Sequence, residues 1–243
     1  MKTQSIFSMS KYKIIATLDE NNVNNFEKVI DSHPDIVEIR FDLLSVPFIT
    51  NELSQMLAKW NKPIIFTYRR AVDSNQSKFT HLEFSHISKL IEKFNSTNNF
   101  LDIEFDNQFP IFQNFQNLQY RIIYSYHDFH QSISLSKMKE LIFLRSYEQE
   151  RKSIYKFAIT PQNSTELIDF LENVRTLSID YTIIGVAMGE IGLLSRIFGD
   201  FYGSSFTYCC VDSPKAPGQI SIMDYRKFRK YIILDDVSTI TRF

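Results

Sequence analysis

The sequence predicts one (β/α)8 barrel of the TIM-barrel class, a single α/β domain over residues 1–243, and three observations predict it. Eight apolar runs of strand length alternate with segments of helical period, the order that builds a parallel sheet. The chain has 243 residues, close to the roughly 250 of one such barrel. Six of the runs carry a charged or ionisable side chain at or near their C-terminal end, where barrels of this kind place their reactive groups. No Gly-rich phosphate loop follows the first strand, which counts against an open, doubly wound sheet.

The elements follow in order. Lys13–Thr17 is the first strand, and Asn22–His33 the first helix, with Phe26, Val29 and Ile30 on one face. Ile36–Arg40 is the second strand. Strand side chains alternate between faces, so Glu38, Arg40 and Asp42 share one face and Val37, Ile39 and Phe41 the other. Helical Asn51–Trp60 leads to strand Ile64–Tyr68, which ends in Arg69. Helical His81–Phe94, with Phe84, Ile87, Leu90 and Ile91, leads to strand Leu101–Glu104, where Asp102 and Glu104 oppose Leu101 and Ile103. Strand Ile122–Tyr126 ends in His127. The segment Lys137–Lys152 reads as helix and precedes strand Tyr155–Ile159, where Lys156 and Ala158 oppose Tyr155, Phe157 and Ile159. Asn163 begins the next helix with Glu166 at capping-box spacing, ahead of a stripe of Leu167, Phe170 and Leu171. Strands Ile183–Ala187, followed by Met188, and Ser205–Tyr208 complete the eight. Helix Ser221–Leu234 closes the pattern with Met223, Phe228, Tyr231 and Ile232.

Composition narrows the function. A formal net charge of −1 offers no general attraction to nucleic acid or to anionic membranes. No run approaches the ~18 apolar residues of a membrane span, and Met1–Ser10 lacks the apolar core of a signal peptide, so a cytoplasmic protein is expected. The two cysteines, Cys209 and Cys210, are adjacent. They suit neither a structural disulfide nor zinc spacing and read as small buried strand residues.

The chemistry concentrates on a few residues. Lys156 interrupts an aromatic and aliphatic strand. Burial and nearby cations lower a lysine pKa, and a neutral amine attacks ketones to form a Schiff base. The competing reading is an edge lysine reaching out to solvent. His127 ends the preceding strand, within reach of the same substrate, and suits proton removal and return; a satisfied structural histidine is the alternative. His130 falls in the following loop. Arg40, Arg69 and Arg196 offer guanidinium forks for a carboxylate, with Arg40 also a candidate for ion pairing to Glu38, Asp42 or Glu104 inside the barrel. Ser213–Ile220 carries two prolines, Gly218 and Gln219, a composition that allows a lid as well as a plain connection.

At these residues the chain resembles the type I 3-dehydroquinate dehydratases, along essentially its whole length. The resemblance rests on Val37-Glu38-Ile39-Arg40-Phe41-Asp42, Phe66-Thr67-Tyr68-Arg69, Ser125-Tyr126-His127-Asp128-Phe129, Lys156-Phe157-Ala158, Gly192-Leu193-Leu194-Ser195-Arg196 and Ala216-Pro217-Gly218-Gln219-Ile220. It implies a lyase of the shikimate pathway, on the route to chorismate and the aromatic amino acids. Such an enzyme converts 3-dehydroquinate to 3-dehydroshikimate by syn elimination, as a homodimer, with no metal and no organic cofactor. It implies that Lys156 forms the imine and that His127 is the general acid and base. It makes Glu38, Arg40, Arg69, Arg196 and Gln219 the substrate-binding set, with Arg196 on the carboxylate and Met188 as an apolar wall.

Two positions depart from the family pattern. Asp73 stands where a glutamate is usual, one methylene short for supporting His127. Lys215 stands where a small hydroxyl residue is usual, able either to contact substrate or to face water. Outward is the expected orientation, because two buried cations facing one carboxylate are hard to compensate. The readings that compete with a dehydratase are a class I aldolase, which would share Lys156, and a barrel that binds a small acid without turning it over.

Overall fold

The computed structural model describes residues 12–45, 49, 52–69, 81–106, 118–146 and 153–232, with backbone alone at 81–84 and 146. Its strands are β1 (Lys13–Leu18), β2 (Ile36–Arg40), β3 (Ile64–Thr67), β4 (Phe100–Glu104), β5 (Arg121–His127), β6 (Ile154–Ile159), β7 (Thr182–Ala187) and β8 (Phe206–Cys209). All pairings are parallel, in the order β7-β6-β5-β4-β3-β2-β1-β8. Between β7 and β8 the ring closes through a bridge of Ile183 with Ser204. There Ser205 N donates to Ile183 O at 2.9 Å, and Gly185 N donates to Ser204 Oγ at 3.1 Å. The eight predicted strands are therefore present and form a nearly closed (β/α)8 barrel, with β8 one residue later than its sequence pattern indicates.

The helices are α1 (Glu20–Asn24), α2 (Phe26–Asp31), α3 (Leu53–Leu57), α4 (His81–Lys93), α5 (Leu135–Ser146), α6 (Ser164–Leu177), α7 (Leu193–Phe198) and α8 (Ile222–Ile232). The helix predicted over Asn22–His33 is two short ones. Asp19 caps the first by accepting from Asn22 N at 3.1 Å. Asn25 leaves helical dihedrals between them, its side chain donating to Asn21 O at 3.1 Å, a local bond that competes with helix continuation. Ile30, predicted on the packed face, is exposed. Asn163 caps α6 as predicted, accepting from Glu166 N at 3.0 Å. The helix predicted to run to Lys152 is described to Ser146, and its remainder lies outside the described residues.

The last helix corrects the sequence reading more sharply. α8 buries Ile222 and Tyr225, whereas Met223 (64%) and Tyr231 (88%) are exposed, as is Phe228. The inward seam continues through Arg229, which pairs with Asp200 at 2.6 Å and donates to Ile197 O at 3.0 Å. A charged residue thus holds a position that a search for apolar spacing assigns to solvent.

Alternation divides the strands as predicted. Val37, Ile39, Phe66 and Leu101 face outward into one helix-packed core, and Tyr155, Phe157, Ile159 and Ile183 into a second. Inside the barrel, Ile15, Ile36, Ile65, Phe100, Ile123, Ile154, Ile184 and Phe206 make an apolar floor. The next inward positions along the strands are polar and buried: Thr17, Glu38, Thr67, Asp102, Ser125 and Lys156. The floor excludes water from below, so polar groups meet only at the C-terminal mouth.

Candidate active site

The mouth encloses a cavity of about 410 Å³. Lys156, His127, Glu38, Arg40, Arg69, Arg196, Gln219, Met188 and Lys215, nine of the residues singled out in the sequence, all line it. Asp73 lies outside the described residues.

Lys156 sits mid-strand on β6, 6% exposed. Its Nζ is 3.1 Å from Asp102 Oδ2 and 4.2 Å from the centre of the Tyr208 ring. Burial, reinforced by the Arg69 charge and opposed by Asp102, lowers its pKa from 10.5. The side chain points into the barrel, which removes the reading of an edge lysine reaching solvent.

Asp102 and Glu104, on alternate inward positions of β4, organise the cations. Asp102 accepts from Arg69 Nη2 at 2.8 Å and from Ser125 Oγ at 2.5 Å. Burial alone would raise this carboxyl, but Arg69 and Lys156 outweigh it and hold it well below the usual range. Glu104 stands 3.0 Å from Arg69 Nη1 and 3.0 Å from His127 Nδ1. A carboxylate on Nδ1 keeps a proton there and leaves the Nε2 lone pair as the base. Burial, then the Arg69 and Lys156 charges, depress the His127 pKa well below 6.5, so the ring is neutral at pH 7. In register, His127 on β5 pairs with Ala158 on β6, and Ser125 with Lys156, which places imidazole and amine one strand apart.

Arg40 forms the predicted internal ion pair. Its Nε and Nη2 reach both oxygens of Asp42 at 2.8 Å and 2.6 Å. Glu38 has no direct ion pair among the described residues; its oxygens accept from Thr17 at 2.8 Å and Thr67 at 2.9 Å. Arg196, on α7, is the opposite case. It is buried with no carboxylate partner among the described residues. Nη1 and Nη2 donate to the carbonyls of Tyr208 and Pro217, each at 3.2 Å, and Nε has no partner among the described residues. Burial pushes its pKa down to about 10. A buried guanidinium that faces a cavity, with no counter-ion among the described residues, has the chemistry to accept an anion. Thr207 Oγ1, donating to Arg196 O at 3.0 Å, fixes its backbone.

Lys215 departs from its expected outward orientation. Its side chain is 7% exposed and pairs with Asp19, itself 20% exposed, and it donates to Ser213 Oγ at 2.8 Å. The compensation that the sequence pattern made hard to foresee comes from Asp19, at the end of β1. Gln219 is buried: its Oε1 accepts from Lys215 N at 2.7 Å, and its Nε2 donates to Thr17 Oγ1 at 3.3 Å.

Sequence reasoning left Asp102, Glu104 and Tyr208 out of the site. Alternation already puts the two acids inward, and Tyr208 shares the inward face of its strand with Phe206. The signal for Asp19 is weaker, because it lies beyond the strand and reads as a helix cap. Among the described residues no group of three or more His, Cys, Asp or Glu is arranged to hold a metal ion.

Comparison with known proteins bears on this arrangement. The family model described as Type I 3-dehydroquinase matches residues 13–235. The 3-dehydroquinate dehydratase of Lactococcus lactis subsp. cremoris (strain MG1363) is 29% identical over 222 residues, covering 89% of this chain and 94% of that protein. That of Staphylococcus haemolyticus (strain JCSC1435) is 28% identical over 222 residues, covering 86% and 89%. Among solved structures, 3-dehydroquinate dehydratase from Geobacillus kaustophilus HTA426 aligns with TM-score 0.75 at 21% identity, over 92% of this chain and 91% of that one. The type I 3-dehydroquinate dehydratase from Clostridium difficile, with covalently modified comenic acid, aligns with TM-score 0.74 at 23% identity, over 91% and 92%.

Proposed function

Because the chain belongs to the type I 3-dehydroquinase family, we propose that it converts 3-dehydroquinate to 3-dehydroshikimate in the shikimate pathway, with Lys156 as the imine-forming residue and His127 as the acid–base group. The observation that carries this reading is the buried Lys156 amine, its pKa lowered, in one cavity with a neutral His127 and with Arg196, which has no carboxylate partner among the described residues.

The substrate carboxylate sits on Arg196. Neutral Lys156 attacks the C3 ketone, and loss of water from the carbinolamine leaves a protonated imine. That cation withdraws electrons from C2–H. His127 Nε2 takes the C2 proton, and the electron pair becomes the enamine. The enamine pushes out the C1 hydroxyl, which leaves as water with the proton from His127. Water then hydrolyses the imine, releasing 3-dehydroshikimate and regenerating the amine. The imine makes a weak C–H acid reachable by a histidine near neutral pH. Arg40, Arg69, Glu38 and Gln219 bind the ring hydroxyls, and Met188 packs against its apolar face. Asp73, which lies outside the described residues, keeps the supporting role that the family resemblance implies for it. The mechanism needs no metal and no organic cofactor.

The test is covalent trapping. Borohydride added with 3-dehydroquinate should fix ligand onto the chain, and peptide mapping should place the added mass on Lys156. An active protein with unmodified Lys156 would overturn the assignment. Lys156→Ala should keep measurable ligand binding through the arginines and lose turnover. A class I aldolase or a non-catalytic binder would leave 3-dehydroquinate unconverted, read as absence of the enone absorbance of the product.

A homodimer in the cytoplasm completes the proposal, following the family resemblance. No described helix is long and apolar enough to cross a membrane. Sedimentation of the purified chain, and fractionation of cells that express it, test both points.

A further inference from the structure

Asp19 holds two positions at once. As the cap of α1, its Oδ1 accepts from Asn22 N at 3.1 Å. Its other oxygen takes the Lys215 ammonium from the loop between β8 and α8. The pair is largely shielded, with side chains 7% and 20% exposed, so solvent and salt weaken it less than a surface pair. A second strap runs beside it, where Asn22 Nδ2 donates to Asp212 Oδ2 at 3.0 Å. The main chain of Lys215 engages a different partner, its N–H donating to Gln219 Oε1 at 2.7 Å. That bond turns the amide so that its Nε2 meets Thr17 at 3.3 Å. The position of Lys215 therefore sets the orientation of Gln219.

The far side of the loop is seated equally closely. Pro217 O accepts from Arg196 Nη2 at 3.2 Å and from Gly189 N at 3.4 Å. Gly218 has φ +72°, and a Cβ there would stand 2.3 Å from Gly189 O.

Building on the dehydratase reading of this cavity, we propose that Asp19 is a positioning residue, a latch that acts through Lys215 to hold the β8–α8 loop closed with Gln219 aimed before substrate arrives. Lys215 is neutralised by this pairing, so its contribution is closure of the loop and adds little positive field for an anionic substrate. A latch of this kind favours binding, because the competent conformation is already populated. It slows product departure for the same reason.

Two mild substitutions test it. Asp19→Asn keeps an oxygen for the Asn22 N–H and removes the charge. Lys215→Met keeps the stem and removes the ammonium. Each should raise KM for 3-dehydroquinate about three- to tenfold, with kcat at or above the parent. The double variant should match either single one, and the charge-swapped Asp19→Lys/Lys215→Asp pair should recover part of the loss. Without ligand, hydrogen exchange at the Lys215 amide should quicken about threefold or more in Asp19→Asn. A parental KM and parental exchange in Asp19→Asn would overturn the latch. So would a further rise in KM from Lys215→Met in the Asp19→Asn background, since that marks Lys215 as a direct substrate contact. Exchange reads the loop without turnover, and borohydride trapping of the parent reads the chemistry without the loop. A failure of one is therefore distinct from a failure of the other.

Discussion

At the nitrogen of Lys156, opposed influences meet within one shell. Asp102 at 3.1 Å and the Tyr208 ring at 4.2 Å favour a cation, while burial and Arg69 favour the neutral amine. The proposed mechanism needs the amine for attack and the cation afterwards, when the imine nitrogen would carry the positive charge. An aromatic face serves the second need without offering a proton acceptor that would quench the imine. Tyr208→Leu should therefore lower kcat about tenfold, on the order of the 1–2 kcal/mol of a desolvated cation–π contact. Tyr208→Phe should keep most of the rate. Equal rates for the three proteins would remove the ring from the mechanism. His127 gives a second prediction. His127→Ala should still trap the imine and lose about 10²–10⁴ in kcat. Because its pKa lies well below 6.5, protonation of His127 should cost no kcat once the imine has formed as pH falls through 6.5, and its effect on kcat should appear only at more acidic values. Replacing Glu104 by leucine, which frees Nδ1, should lower the rate across that whole range.

Elements were legible where one force decides them. The eight strands follow from runs of β-branched and aromatic residues, and their inward faces from alternation alone, as Glu38, Asp102 and Lys156 illustrate. Helix faces were less legible. α8 turns Arg229 inward because Asp200 waits there, and no local pattern announces a partner so distant in sequence. Glycine supplies an element-scale test that apolar spacing misses. Gly185 lies on β7 against α6, and a Cβ there would stand 2.5 Å from Val174 Cγ2. Gly185→Ala should destabilise the fold by about 1–3 kcal/mol through overpacking. Adding Val174→Ala should recover part of it, both read as urea midpoints. Full stability of Gly185→Ala would mean that α6 moves away from the sheet at little cost.

For the whole molecule, the charges gathered at the mouth set its response to acid. The His127 pKa is depressed below its unfolded value, so the unfolded chain binds the extra proton first. Its contribution is complete above about pH 6.5 and declines as pH falls from there toward the depressed folded value. Asp102 is likewise depressed, from 3.8. Its contribution is present above 3.8 and is lost at lower pH, with the Arg69 and Lys156 pairings it supports. The urea midpoint should therefore fall in two stages on acidification, and His127→Asn should abolish the first while sparing the second. A single stage shared by both proteins would contradict this assignment. The site as a whole was legible because barrel geometry collects strand ends, so residues from Glu38 to Gln219 could be grouped before any distance was known. What sequence could not supply was the pairing among them: Glu104 on His127, Asp19 on Lys215, and Arg196 on the carbonyls of Tyr208 and Pro217.

The joint between β1 and β8 bears on how this protein is made. Ile15 lies beside Tyr208, and Ala16 beside Cys209, so β1, paired with β2 on one side, must wait for the last strand before its other edge is covered. A ribosome delivers them far apart in time. The six strands that follow β1 can associate as they emerge, but the nascent chain keeps an open sheet edge until β8 appears. The mouth stays incomplete for equally long, since Thr17 and Asp19 are held by Gln219 and Lys215. Catalytic competence should therefore arrive late in synthesis and all at once. Chains stalled before β8 are the species in which exposed edges invite association, and they are the form in which a chaperone has most to protect.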